Sequence, residues 1–172
     1  MRGRTPVTAL TCELAHVSHR LLPFCDSVAG NHVQDEGATA LFEVLAVTPC
    51  RLEYLDLSGN ELTYRSGISA GTMLRSNTTL VVLALNYNRL VCCIARSLRA
   101  ARFSMCDTTA RVRAECPQGT AGVAGIAVGA RANIHLQAVQ VVHNGITERG
   151  VEQLVDLMHV NHVMQIIMYA WT

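Results

Sequence analysis

Residues 52–62 read Leu52-Glu-Tyr-Leu55-Asp-Leu57-Ser-Gly-Asn60-Glu-Leu62, and the skeleton of that phrase returns in register further along the chain. The second copy is Leu80-x-x-Leu83-x-Leu85-x-x-Asn88-x-Leu90, and the third is Leu136-x-x-Val139-x-Val141-x-x-Asn144-x-Ile146. The interval from Asn60 to Asn88 sets a period, and Asn144 follows Asn88 by two such periods. Asn31-x-Val33 stands about one period before Asn60. Self-similarity at a fixed period marks stacked supersecondary units, because each unit has an apolar face that it cannot bury alone.

Each part of the phrase has a physical role. Alternating apolar and polar residues suit a short strand with one buried face. Leu55, Leu57, Leu83, Leu85, Val139 and Val141 are then expected inward. Tyr54, Asp56, Ser58, Val82, Ala84, Asn86, Ala138, Gln140 and Val142 are expected outward. An asparagine where the chain leaves the strand can donate and accept at once, so Asn31, Asn60, Asn88 and Asn144 are expected to form a ladder of amide bonds. After each turn comes a helical pattern. Gly37-Ala-Thr-Ala-Leu41-Phe-Glu-Val-Leu45 and Gly150-Val-Glu-Gln-Leu154-Val-Asp-Leu-Met158 place apolar residues on one face, and residues 67–74 fill the same slot.

The phrase and its period resemble the leucine-rich repeats of the ribonuclease-inhibitor type, closely in three copies. The resemblance implies an α/β leucine-rich repeat solenoid that binds proteins, recognition falling on its strand face. Wide helices outside and narrow strands inside predict a curved stack with the parallel sheet concave. The outward strand residues then become the expected protein-binding surface, with Tyr54 as an aromatic anchor among small residues.

Composition agrees. Half of the 172 residues are hydrophobic and only 5% aromatic, enough core for one domain packed mainly by Leu, Val and Ala. A net charge of +1 gives no global attraction to nucleic acid or membrane, and the chain has no apolar run long enough to predict a spanning helix. All basic residues are arginine. Seven cysteines, an odd number without a C-x-x-C pair, predict reduced thiols and a cytoplasmic setting. The N-terminal stretch is read as a cap or atypical first repeat over residues 1–30. A mitochondrial leader is the alternative, and Asn77-Thr-Thr79 is read as an accidental glycosylation match.

Regular repeats are expected over 31–90 and 134–172, the latter ending in a truncated strand phrase from Val163. Between them, 91–133 breaks the pattern. It holds one leucine, Leu98, and six arginines, Arg96, Arg99, Arg102, Arg111, Arg113 and Arg131, against Asp107 and Glu115. The frame puts Arg111 and Arg113 at strand positions and Cys116 at the ladder position, a substitution familiar in the resembled family. Because the asparagines keep phase across it, the segment is expected to be two degenerate repeats with a basic face. Its patch offers an alternative function, docking in an RNA-protein assembly.

Catalytic signals are thin. His16 and His19, like His159 and His162, are spaced i, i+3, yet neither pair has a third ligand. Cys92-Cys93 fits packing better than nucleophilic attack, and no hydrolase or phosphate-loop motif occurs. The reading is therefore a non-enzymatic scaffold without cofactor or metal. Its partners are expected to be proteins of a multi-subunit intracellular assembly, such as one of the cytoskeleton or the ciliary axoneme.

Overall fold

The computed structural model describes residues 24–47, 51–90 and 120–168. Strands and helices alternate: β1 (Phe24–Ser27), α1 (Gln34–Val47), β2 (Leu52–Asp56), α2 (Tyr64–Leu74), β3 (Val82–Ala84), α3 (Ala121–Ala130), β4 (Ala138–Gln140), α4 (Glu148–Val160) and β5 (Ile166–Met168). Among the described residues five strands, all parallel, lie in chain order, β1-β2-β3-β4-β5. Each crossover carries a helix, the usual way for parallel strands to connect.

The repeated apolar positions form one core. Leu52, Leu55, Leu57 and Leu62, with Leu80, Leu83, Leu85 and Leu90 from the next copy, are fully buried. Leu136, Val139 and Val141 continue the line, and Ile146 is buried beside them. Phe42, Met73, Ile126 and Leu154 pack against this wall from the four helices.

The interval after Asn88 differs from expectation. β3 pairs directly with β4, Leu83 opposite Val139, so the sheet has no place for a strand between them. From β3 to β4 the sheet therefore advances by a single strand, where the sequence frame counts two periods. The interval from Asn88 to Asn133 exceeds its counterpart, from Asn60 to Asn77, by one whole period. The phase is preserved because the insertion is one period long. The expectations for Cys92, Cys93, Cys116, Arg111 and Arg113 lie outside the described residues, as do those for His16 and His19. The Gly- and Ala-rich stretch that ends the interval is helix α3.

Glycine explains the seat of that helix. A Cβ on Gly67 would stand 2.5 Å from the Cα of Gly122, and one on Gly71 would overlap the Gly125 carbonyl. α2 and α3 thus meet backbone to backbone. Curvature of a strand-helix stack comes from helices spaced wider than strands. Close approach in the helix layer works against it, and the sheet is not strongly curled.

Two rows of asparagine clamp the turns. In the first, Asn60 Oδ1 accepts from the Asn31 and Val33 amides at 3.0 and 3.2 Å, and its Nδ2 donates to the carbonyls of Val28 and Ser58. Asn88 repeats this toward Asn60 and Leu62, both at 3.0 Å. Asn144 Oδ1 accepts from Leu90 N at 3.4 Å, one step along. The second row is not part of the repeated phrase. Asn77, Asn133 and Asn161 are buried where helix returns to strand. Their amides donate to the last-turn carbonyls of the preceding helices, Leu45, Leu74 and Ala130, at 2.7–2.9 Å. The Asn77-Thr-Thr79 match is thereby explained as one member of this row.

A carboxylate ties α1 to α2. Asp35 accepts from the Thr63 amide and from the hydroxyls of Thr63 and Ser66. Burial pushes its carboxyl up, but the hydrogen bonds from Ser66 and Thr63 together outweigh this and hold it below the ordinary aspartate value.

Candidate protein-contact surface

The sheet has one face against the helices and one open face. Register aligns the open-face residues in rows across the repeats. Tyr54, Val82 and Ala138 form one row, and Asp56, Ala84 and Gln140 form the next. Ser58, Asn86 and Val142 follow where the strands end. The nine outward positions are thus brought together as one strip.

Its polar members are pre-organised. Asn86 Nδ2 donates to Gln140 Oε1 at 3.0 Å, while Asn86 Oδ1 accepts the Val142 amide at 2.9 Å. Asp56 accepts from the Ser58 amide, and Ser58 Oγ from the Asn86 amide. Fixed polar groups lose little entropy when a partner docks. Two positions differ from expectation. Ala84 and Ala138 are only 1% and 7% exposed, so they add little contact area of their own. A methyl group is overtopped by the larger side chains around it.

The rim beside the strip was not legible as a site in the sequence. The position before each ladder asparagine has left-handed backbone in every copy: Gly30 (φ 71°), Gly59 (φ 66°), Tyr87 (φ 54°) and His143 (φ 54°). Hydrogen bonds impose it, since Gly30 N donates to the Ser58 carbonyl, Gly59 N to Asn86 and Tyr87 N to Val142, all at 2.8–2.9 Å. Glycine adopts this geometry freely, whereas bulky residues are strained there. Yet the third and fourth copies hold tyrosine and histidine. Their rings stack with centroids 4.5 Å apart and 21° between planes, and Tyr87 is 64% exposed. The fold requires the backbone conformation but not the side chains. Further along the same rim, His32 Nδ1 and Glu61 Oε1 pair at 2.8 Å across two repeats.

Of the expected basic patch, Arg131 is described. It is the C-cap of α3, exposed on the helix side, far in the fold from the open sheet face. Arg96, Arg99, Arg102, Arg111 and Arg113 lie outside the described residues. His159 and His162 flank the end of α4, both exposed. Among the described residues, no group of three or more His, Cys, Asp or Glu could hold a metal ion. No described helix is long and apolar enough to cross a membrane.

Comparison with known proteins adds independent observations. The leucine-rich repeat family profile matches residues 27–42, 49–69 and 132–155. It passes over the stretch that contains the insertion. The human protein "NACHT, LRR and PYD domains-containing protein 5" is 30% identical over 136 residues, which are 77% of this chain and 11% of that protein. Ribonuclease inhibitor from Sus scrofa is 33% identical over 130 residues, 74% of this chain and 28% of the inhibitor. The chain therefore spans a minor part of either relative's length. Among solved structures, leiomodin-1 actin-binding site 2 matches with a TM-score of 0.68 at 12% identity, covering 96% of this chain and 78% of that one. At that identity the likeness is one of fold.

Proposed function

Because the chain is a leucine-rich repeat protein of the ribonuclease-inhibitor-like type, we propose that it is a non-enzymatic scaffold that binds a protein partner through its open sheet face and adjoining rim. The observation that supports this most is the Tyr87–His143 stack, held in a backbone conformation that glycine fills in the first two repeats. Strain at a non-glycine residue in this region costs on the order of 1–3 kcal/mol. An exposed aromatic pair that raises the energy of the folded chain has its plainest use in contact. Elsewhere on the open face, Tyr54 supplies a second aromatic surface, and the Asn86–Gln140 pair offers polar groups already fixed in place.

A scaffold of this kind acts within a larger assembly, and a cytoskeletal or axonemal one is the setting we put first for testing. The test is an affinity pull-down at low and high salt, comparing the wild-type chain with the double variant Tyr54→Ala, Asn86→Arg. A specific partner set retained at high salt by the wild type and lost by the variant is expected, and its composition names the assembly. Phosphate contacts weaken steeply with ionic strength. Retention of RNA-protein complexes at low salt only, indifferent to the variant, would move the function to the arginine-rich stretch.

A further inference from the structure

The helix side of the stack carries a second surface with a different chemistry. Where α2 and α3 run side by side, in backbone contact at Gly71 and Gly125, a groove of about 240 Å³ opens to solvent between their outer side chains. Ile68, Ala124 and Val128 give it apolar walls, and Gln153 of α4 stands at its side. Its charged members are Arg75 and Arg131, with no carboxylate among the residues that line it. The two arginines converge because they hold equivalent positions: each is the C-cap of its helix, and the helices are parallel neighbours.

A cation at a helix C-terminus is favourable in itself, but these helix ends are already served. Asn133 Nδ2 donates to the Leu74 carbonyl and Asn161 Nδ2 to that of Ala130, both at 2.7 Å. Neither guanidinium has an ion-pair partner among the described residues, and both residues are exposed. The volume is below the usual range for a small-molecule site, roughly 300–1,000 Å³, and suits one or two side chains.

We propose that this groove receives an acidic segment of a partner protein. An aliphatic side chain of the segment seats between Ile68 and Val128, and its carboxylates meet Arg75 and Arg131. Charge complementarity sets the occupant's sign, the planar guanidinium fork suits carboxylates, and the apolar walls favour a peptide over a phosphate chain. This surface is independent of the open sheet face, so either can fail without the other.

The test uses the full chain and fluorescein-labelled decapeptides that alternate leucine with aspartate and glutamate, read by fluorescence polarisation. The wild type is expected to bind saturably, and asparagine and glutamine versions of the peptides to bind at least about tenfold more weakly. Arg75→Ala with Arg131→Ala should weaken binding about as much with an unchanged circular dichroism spectrum, and Val128→Asp should weaken it by repulsion. Tyr54→Ala with Asn86→Arg should bind these peptides like the wild type. Absence of saturable binding by the wild type, or equal binding by the double arginine variant, overturns the proposal. So does tighter binding of an oligouridine RNA at the same two arginines.

Discussion

Replacing Asn88 by alanine is expected to lower stability by roughly 4 kcal/mol, measured as a fall in the urea midpoint at constant slope. The size follows from what one side chain holds. Asn88 Oδ1 accepts the amides of Asn60 and Leu62 at 3.0 Å, and its Nδ2 donates to the carbonyls of Leu57, Leu85 and Asn86. The residue is 6% exposed, so water does not readily replace these bonds. Each buried group left unpaired costs about 1–3 kcal/mol, against a total stability on the order of 5–15 kcal/mol. Asn88→Asp keeps the acceptor but sets a buried charge against three carbonyl oxygens, and should cost at least as much. A loss below about 1 kcal/mol for the alanine variant would mean that the ladder does not hold the turns.

Gly71→Ala is expected to destabilise by about 2–3 kcal/mol, the reverse of what helix propensity dictates. In a solvent-facing helix the same change would stabilise by about 1 kcal/mol. Here the new Cβ would overlap the carbonyl of Gly125, and the obstacle is backbone rather than a side chain that can rotate away. The helices must separate, which opens the layer that buries Ile126 and Met73. Thr72→Ala, the next position and exposed, is the control and should change stability by no more than about 0.5 kcal/mol. Thermal unfolding of the three proteins side by side reads the sign directly. Stabilisation by Gly71→Ala would show that α2 and α3 do not touch as described.

The strands and the core were legible because their signal is periodic. Leucines at alternate positions select a face, and the asparagine one period on repeats the demand, so Leu55, Leu83 and Val139 align from the sequence as they do in the sheet. The insertion is hidden because its length matches the period. Counting from one asparagine row alone cannot separate an extra repeat from an insert of equal length. The second row separates them. Asn77 stands as far before Asn88 as Asn133 stands before Asn144, which leaves the excess between Asn88 and Asn133. Asn77 also begins a triplet that reads as a chance glycosylation match, and that reading conceals the row.

The strip of outward residues followed from alternation, but the rim did not. Tyr87 and His143 are ordinary residues in the sequence. Their meaning depends on a left-handed backbone angle, which at Tyr87 goes with a hydrogen bond to the next repeat, and on a stack between residues two periods apart. The available hint was positional. Both stand just before a ladder asparagine, where Gly30 and Gly59 stand in the earlier copies. In the same way, Gly67 and Gly71 show helical spacing in the sequence, but their partners Gly122, Gly125 and Gly129 lie beyond an insertion that hides the pairing.

The most direct test of the contact surface separates its contribution to folding from its contribution to binding. Tyr87→Gly with His143→Gly removes left-handed strain at both sites and loses one ring stack worth about 0.5–1.5 kcal/mol. The double variant should therefore unfold at the same denaturant concentration as the wild type or a higher one, while retaining no partner in a salt-resistant pull-down. Equal stability with full partner retention would contradict the account, because the aromatic pair would then serve neither the fold nor the contact.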